Sequence, residues 1–228
     1  DDHILGIGFH KAAGLPHAEI NALTDARRQG RDVKGATAYV TLEPCAHHGR
    51  TGPCVEALIQ AGLKRVVAAV EDPDPRVSSR GFRRLETAGI AVTVGVCREA
   101  AMRLNRGFFS RVQRGRPWIR VKAAASLDGK TALMNGVSQW LTGQAARHDN
   151  QWFRAEADAV LTGIGTVLAD NPRLNVREVE TARQPLRVVV DTHFRFPEDA
   201  AMIDGSPILL AVSADNAEKR IRLAERQV

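Results

Sequence analysis

The sequence is poor in several features that direct a chain to a particular class of protein. Its 228 residues include no apolar run of about 18, the length that a membrane-spanning helix needs. Aromatic residues make up only 5% of the chain and the basic residues form no polybasic block, so a platform that stacks single-stranded nucleic acid is poorly supported. Internal repeats and low-complexity segments are also missing. We therefore expect a globular protein that binds neither a membrane nor nucleic acid.

Cysteine is scarce as well. The three cysteines, Cys45, Cys54 and Cys97, are an odd number, which argues against a secreted disulfide framework and favours the reducing cytoplasm. Basic residues, by contrast, exceed acidic ones and give a formal net charge of +6. This charge suits an anionic partner such as a sugar phosphate, a phosphorylated cofactor or a nucleic acid, and the charge alone does not choose among them.

Hydrophobic periodicity and turn residues divide the chain into two α/β domains. A polar segment with Gly and Pro at residues 113–117 is the expected linker between a domain of residues 1–113 and one of residues 117–228. Strands that alternate with helices predict a parallel or mixed sheet covered on both faces. The expected strands are 4–9, 36–42, 65–70, 90–96, 118–125, 159–162, 186–191 and 208–212, and the expected helices are 53–62, 79–88, 99–109, 144–157 and one from 214 onward.

Three candidate zinc ligands lie in two clusters, with His17 in the first and Cys45 and Cys54 in the second. One His and two Cys leave the fourth tetrahedral position of zinc for water, which is typical of catalytic sites. Cys54 follows Pro53 at a predicted helix N-terminus, where the helix dipole favours the thiolate that zinc requires. His17 precedes an apolar helical pattern, so it is also predicted to begin a helix.

Glu19 stands two residues after His17, and residues so spaced do not share a face of a helix, so Glu19 is poorly placed to be a ligand. A carboxylate there can move protons between water and a leaving amine, as in zinc nucleobase deaminases that carry H-x-E and P-C motifs. A single His before a helix is usually a cap, and a single buried Cys is usually a small hydrophobe. The combination nevertheless predicts catalytic zinc, although eight residues separate the cysteines instead of the usual two.

The segment Thr41–Cys54, with the sequence TLEPCAHHGRTGPC, resembles the signature of a bifunctional riboflavin-biosynthesis family. Its members are a diaminohydroxyphosphoribosylaminopyrimidine deaminase and 5-amino-6-(5-phosphoribosylamino)uracil reductase in one chain, with a long loop between the two cysteines and usually Pro where Gly52 stands. The resemblance implies that His17, Cys45 and Cys54 bind zinc and that Glu19 is the proton shuttle. Three residues of the loop either orient the substrate or belong to a solvated loop: His47, His48 and Arg50.

The resemblance continues into the second domain through residues 121–130, 136–142 and 162–172, which are similar to the reductase half of that family. It implies contacts to NADPH from Ala124, Trp140, Thr166, Asp170 and Thr192, and contacts to the substrate from Ser138, Arg154, Leu174 and Arg177.

The second-domain residues also have plainer interpretations. Both arginines can grip a phosphate or lie on the surface, and Trp140 is by default a core residue. Gly163 and Gly165 allow a tight turn close to a phosphate. Lys122, on a strand of otherwise apolar residues, points either inward or to the sheet edge.

The fold implied by the resemblance is a cytidine-deaminase-like three-layer α/β/α domain followed by a partial dihydrofolate-reductase-like α/β domain. The implied reactions are zinc-dependent deamination of 2,5-diamino-6-(5-phosphoribosylamino)pyrimidin-4-one and NADPH-dependent reduction of its ribose to ribityl. Against the family, we expect the front of the first domain and the second half of the reductase to be missing from this chain. We also expect a cytoplasmic homo-oligomer whose partner is a small phosphorylated pyrimidine.

Two other functions stay open at this point. A tRNA or nucleoside deaminase would share the histidine, the glutamate and the two cysteines and would use the basic surface for RNA, but it does not account for the second domain. A closed structural zinc module would need a fourth protein ligand, which His47, His48 or Cys97 could supply.

Overall fold

The computed structural model describes residues 3–49 and 51–228. The chain divides into two compact units, Asp1–Val121 and Lys122–Val228. The expected role of Arg50 lies outside the described residues. Within the described part of the chain, every helix is too short or too polar to traverse a lipid bilayer.

The first unit is built on a parallel sheet of three strands, β1 (Thr37–Val40), β2 (Arg65–Ala68) and β3 (Ala91–Val94), with β2 in the middle. Thr37 lies opposite Arg65, and Arg65 lies opposite Ala91. The helices of this unit are α1 (Ala18–Arg28), α2 (Cys54–Gln60), α3 (Arg80–Thr87), α4 (Arg98–Leu104) and α5 (Arg106–Arg114).

The central strand β2 is covered on both faces. Val66 and Val67 point to opposite sides of the sheet, and both are buried. Val66 packs with apolar residues of α2 and α3, among them Leu58 and Leu85. The expected cover on both faces does not extend to β1, which is an edge strand of the described sheet and whose Tyr39 is 76% exposed.

Residues 4–9 do not form the predicted strand. Their backbone bonds to helix α1 instead of to a neighbouring strand: Ile7 N donates to Asp25 Oδ2 at 2.9 Å, and Asn21 Nδ2 donates to Phe9 O at 2.8 Å. Glycine permits this close crossing, since a Cβ atom on Gly8 would lie 2.2 Å from the carbonyl oxygen of Ala18. The two glycines of this segment, Gly6 and Gly8, thus lie against α1, whereas Ile4, Ile7 and Phe9 are 65–67% exposed.

The single helix predicted for residues 99–109 is two helices, α4 and α5, joined at Asn105. Asn105 has φ −105° and ψ 19°, and its Nδ2 donates to Ala101 O at 3.0 Å. A side-chain amide that bonds locally to the backbone competes with helix continuation, which explains the break at this residue.

The second unit contains another parallel three-stranded sheet, in the order β4 (Ala159–Gly163), β5 (Leu186–Val190) and β6 (Ile208–Ala211). Its helices are α6 (Gln144–Glu156), α7 (Ile164–Asp170) and α8 (Ala217–Ala224). The core contains Ile164 and Val167 of α7, Val189 of β5 and Leu223 of α8.

The strand predicted for residues 118–125 does not form. Residues 118–125 pair with no strand of the described chain, Val121 is 86% exposed, and Lys122 is exposed and outside any strand, so it has no inward role. The chain passes from β4 to α7 at Gly163 with no intervening loop, whereas Gly165 lies inside α7. The burial of Ile164 and Val167, one helical turn apart, favours the helix here.

Arg187 of β5 should be a main determinant of stability in the second unit. Its buried guanidinium donates to Met202 O, to Ser206 O at 2.7 Å and to Asp204 Oδ1 at 2.9 Å. We expect Arg187→Met to lower the free energy of unfolding by about 3 kcal/mol, since it leaves these acceptors without their cation. Urea denaturation of the variant and the wild-type protein measures the difference.

The matched control for this prediction is Arg183→Met. Its ion pair with Asp158, at 2.8 Å, lies on the surface, where such a pair contributes about 0–1 kcal/mol. A similarly small loss of unfolding free energy in both variants would contradict the assignment of Arg187 as a main determinant of stability.

Candidate active site

The two clusters of candidate zinc ligands come together in the first unit. His17 precedes α1 as its N-cap residue, Cys54 is the first residue of α2, and Cys45 lies in the loop after β1. His17 Nδ1 is 3.6 Å from Cys45 Sγ and 3.3 Å from Cys54 Sγ. One ligand atom from each of the three residues fits in a group whose members all lie within 4.8 Å of one another.

Backbone hydrogen bonds hold the two thiols at the start of α2. Cys54 N donates to Cys45 Sγ at 3.3 Å, and Val55 N donates to Cys45 O at 3.2 Å. The hydrogen bond from the Cys54 thiol lowers the pKa of Cys45 to about 5, and the same interaction, together with burial, raises the pKa of Cys54. The pair thus holds one thiolate ready, and a cation at the site favours ionisation of both sulfurs.

Glu19 lies beside these ligands, at the second residue of α1. Burial raises the pKa of its carboxyl group, which also shares a hydrogen bond with the Cys54 side chain. A carboxyl group whose pKa is shifted toward neutrality can both accept and release a proton, which is the property that general acid–base catalysis requires.

The donor set fits zinc. Two sulfur donors and one imidazole nitrogen are ligands that zinc prefers, and three protein ligands are the number found at catalytic sites. Cys97 is exposed at the start of α4 and His48 is exposed, and neither belongs to the ligand group found among residues 3–49 and 51–228. The same holds for His47, so a closed structural module lacks its fourth ligand in the described chain.

The ligand group opens into a cavity of about 320 Å³. Its lining includes His17 and Cys45 together with His10, Ala13, Gly14, His47, Gly49 and Thr51. The cavity thus gives a small molecule access to the ligand group, and it places His47 of the predicted loop at its wall.

His10 and Asn21 are site residues that the sequence reasoning missed. The ring of His10 packs edge-on against that of His17, with 5.1 Å between centroids, and its Nδ1 bonds to Pro16 O at 3.1 Å. Asn21 Nδ2 donates to Pro16 O at 3.1 Å and so secures the turn that carries His17. Neither residue belongs to a recognisable spacing pattern, and only the proximity of Asn21 to His17, one helical turn away, was readable from the sequence.

Three of the residues assigned to the substrate in the second unit lie together. Arg154 Nη1 donates at 2.7 Å to the carbonyl oxygen of Asn175, the residue after Leu174. Arg177 N donates to Gln151 Oε1 at 3.2 Å. Burial and the nearby charge of Arg177 lower the pKa of Arg154. Two neighbouring guanidinium groups form a suitable environment for a phosphate. The fourth residue, Ser138, is half-buried on another segment.

The residues assigned to NADPH lie on several segments. Thr166 and Asp170 are on α7, and Gln139, the neighbour of Trp140, donates from Nε2 to Asp170 Oδ1 at 3.4 Å. Trp140 is 69% exposed, with the guanidinium of Arg147 4.7 Å from its ring centroid, so the default expectation of a core tryptophan is wrong. The other two assigned residues lie elsewhere. Ala124 is in a segment without helix or strand, and Thr192 follows β5.

Comparison with known protein families matches both units. Residues 1–70 match the family model described as the cytidine and deoxycytidylate deaminase zinc-binding region, and residues 117–228 match the RibD C-terminal domain. The predicted α/β fold class, a deaminase-like domain followed by a reductase-type domain, is confirmed by these matches.

Whole-chain relatives agree with the domain matches. The riboflavin biosynthesis protein RibD of Escherichia coli (strain K12) is 50% identical over 207 residues, which cover 86% of this chain and 56% of the relative. RibD of Aquifex aeolicus (strain VF5) is 45% identical over 227 residues, which cover 99% of this chain and 63% of the relative. The chain therefore spans about three fifths of the length of these curated relatives.

Solved structures show the same likeness. Acinetobacter baumannii RibD, form 1, superposes with a TM-score of 0.87 at 46% identity and covers 100% of this chain, which spans 64% of that protein. The diaminohydroxyphosphoribosylaminopyrimidine deaminase/5-amino-6-(5-phosphoribosylamino)uracil reductase of Thermotoga maritima superposes with a TM-score of 0.84 at 36% identity. That match covers 98% of this chain and 68% of the Thermotoga protein.

Proposed function

This chain belongs to the RibD family of riboflavin biosynthesis proteins, and from that premise we propose that its first unit is a zinc-dependent pyrimidine deaminase. The proposed reaction converts 2,5-diamino-6-(5-phosphoribosylamino)pyrimidin-4-one and water to 5-amino-6-(5-phosphoribosylamino)uracil and ammonia. One observation carries the proposal: His17, Cys45 and Cys54 converge within 4.8 Å, with the Glu19 carboxyl group beside them.

Each residue of the group has a defined task in this reaction. His17, Cys45 and Cys54 would hold zinc, which when bound supplies a Lewis acid that lowers the pKa of water to near neutrality. Glu19 accepts the proton that the attacking water loses and delivers it to the departing amino nitrogen. One carboxyl group thus takes the proton from water and gives it to the leaving amine. Its raised pKa suits both transfers.

We propose that the second unit is the reductase domain of the whole protein, which uses NADPH to reduce the ribose to ribityl. The neighbouring arginines Arg154 and Arg177 support a phosphate site, and the other proposed substrate contacts are Leu174 and Ser138. The proposed cofactor contacts are Ala124, Trp140, Thr166, Asp170 and Thr192.

For the whole protein we propose a deaminase domain at residues 1–113 and a reductase domain from residue 117, in a cytoplasmic homo-oligomer that binds a phosphorylated pyrimidine and no nucleic acid. The three free cysteines support the reducing compartment. A homo-oligomer is the most common assembly among soluble oligomeric proteins.

The substrate assignment is tested by ammonia release from the zinc-loaded full-length protein. The diaminopyrimidine ribotide, cytidine and tRNA are given in parallel, and the ribotide alone is expected to release ammonia. The second unit supports this choice, because a tRNA or nucleoside deaminase has no use for a RibD C-terminal domain. If cytidine or tRNA releases ammonia and the ribotide does not, the first unit is instead a nucleoside or tRNA deaminase.

A further inference from the structure

Glu43, at the end of the segment that follows β1, is a buried acidic residue just before the ligand Cys45. It is only 4% exposed. Its partners in the described part of the chain are backbone N–H groups: Gly81 N at 2.9 Å from Oε1, and Ser79 N at 3.1 Å and Asp72 N at 3.2 Å from Oε2. Both carboxylate oxygens are therefore occupied by donors from chain segments far away in sequence.

These donors clamp the chain just before the cysteine. Asp72 follows β2, and Ser79 and Gly81 form the start of α3, where Ser79 has a φ of 59°. The start of α3 also lies very close to Pro44, the next residue of the loop. A Cβ atom on Gly81 would lie 2.1 Å from the carbonyl oxygen of Pro44. Glu43 and Pro44 thus both lie in close contact with the start of α3.

The clamp determines where the Cys45 sulfur can lie. Pro44 has a fixed φ, which removes one of the backbone rotations between the anchored Glu43 and the cysteine. On its other side Cys45 is bound to α2, through Cys54 N to Sγ at 3.3 Å and Val55 N to its carbonyl oxygen at 3.2 Å. A shift at Glu43 would therefore move the sulfur relative to His17 Nδ1, which is 3.6 Å away.

We propose that Glu43 is a positioning residue of the metal centre, whose carboxylate ties the Pro44–Cys45 turn to α3 and so sets the geometry of the zinc ligands. This inference rests on the proposed zinc-dependent function of the first unit. Partners that orient metal ligands typically change metal affinity about 10–100-fold when they are replaced. A glutamine has nearly the same shape but offers an NH₂ group to one side, where an acceptor is required.

The test is a chelator competition for Zn²⁺ with the full-length protein, together with the absorption spectrum of the Co²⁺-substituted protein. For Glu43→Gln we expect zinc affinity to fall about 10–100-fold and the thiolate and ligand-field bands of cobalt to shift. Asp191→Asn is the matched control, since Asp191 is a buried carboxylate of the second unit that accepts from Phe196 N at 2.7 Å. This control should leave zinc affinity and the cobalt spectrum unchanged.

Gly81→Ala tests the same clamp from the side of α3 and decides the matter if Glu43→Gln does not fold. Its Cβ atom must displace the Pro44 carbonyl, so zinc affinity should again fall. Gly107→Ala is its control, because Gly107 lies in helix α5 with no atom within 4 Å of an added Cβ.

If the wild-type protein binds zinc, unchanged zinc affinity and an unchanged cobalt spectrum in the Glu43 or Gly81 variant would overturn the inference. A wild-type protein that binds no zinc would instead overturn the proposed function, and this inference with it. The two failures are therefore distinguished in the same titration.

Discussion

Glu19→Gln is expected to leave zinc binding intact and to reduce the rate of ammonia release by about 10²–10⁴-fold, the usual contribution of a general acid–base group. The amide has the shape of the carboxyl group, so the fold and the three ligands should be unaffected. It cannot carry the proton between water and the departing amine, however, and that transfer is the task assigned to Glu19. Initial rates of ammonia release and the zinc content of the purified variant measure the two effects separately.

The matched control is Glu99→Gln on helix α4. Glu99 is exposed and pairs only loosely with Arg103, at 3.7 Å, so its replacement should change neither quantity. Wild-type rates in the Glu19 variant would show that another group moves the proton. Loss of zinc in that variant would show instead that Glu19 contributes to metal binding.

Cys54→Ser is expected to abolish both zinc binding and deamination. Cys54 is fully buried, its sulfur lies 3.3 Å from His17 Nδ1, and it belongs to the ligand group found among the described residues. The serine hydroxyl is a harder donor than sulfur and ionises less readily than a thiol. Zinc prefers the thiolate of cysteine. The loss of affinity should exceed the about 10–100-fold that is typical when only a supporting partner is removed. Metal analysis after dialysis against a chelator measures the loss.

Cys97→Ser provides the control for the cysteine chemistry. Cys97 is exposed at the start of α4 and lies outside the ligand group, so zinc content and activity should match the wild type. Retained zinc in the Cys54 variant, or lost zinc in the Cys97 variant, would show that the ligand set was assigned wrongly.

The ligand group was accessible from the sequence because its chemistry is local. His-x-Glu before an apolar helical pattern and a cysteine after Pro53 each place a side chain at a helix start, and α1 and α2 do begin there. The central strand β2 was accessible for a similar reason, since a short and almost entirely apolar run is typical of a strand that is buried on both faces.

Pairing partners, by contrast, could not be predicted from the sequence. Residues 4–9 and 118–125 carry strand-like patterns, but a pattern does not say whether a neighbouring strand exists to accept its hydrogen bonds. The first segment bonds to α1 through Asp25 and Asn21, and the second is paired with no strand in residues 3–49 and 51–228.

The environment of the ligands was equally hidden. The three N–H groups that bind Glu43 lie 29 to 38 residues further along the chain, so only the folded structure brings them to it. His10 reaches His17 through a turn with no recognisable motif. Such long-range supports depend on how α3 and the loops pack, and a single sequence contains no periodic signal for that packing.

The most direct test of the central claim is deamination of the diaminopyrimidine ribotide by zinc-loaded full-length protein in water labelled with heavy oxygen, with product mass and ammonia followed together. We predict one ammonia for each pyrimidine consumed and one heavy oxygen atom in each uracil product, since the amino group is replaced by oxygen from water. A pyrimidine that is consumed without ammonia or without the label, or that is not consumed at all, would contradict the assignment of this chain as a hydrolytic pyrimidine deaminase.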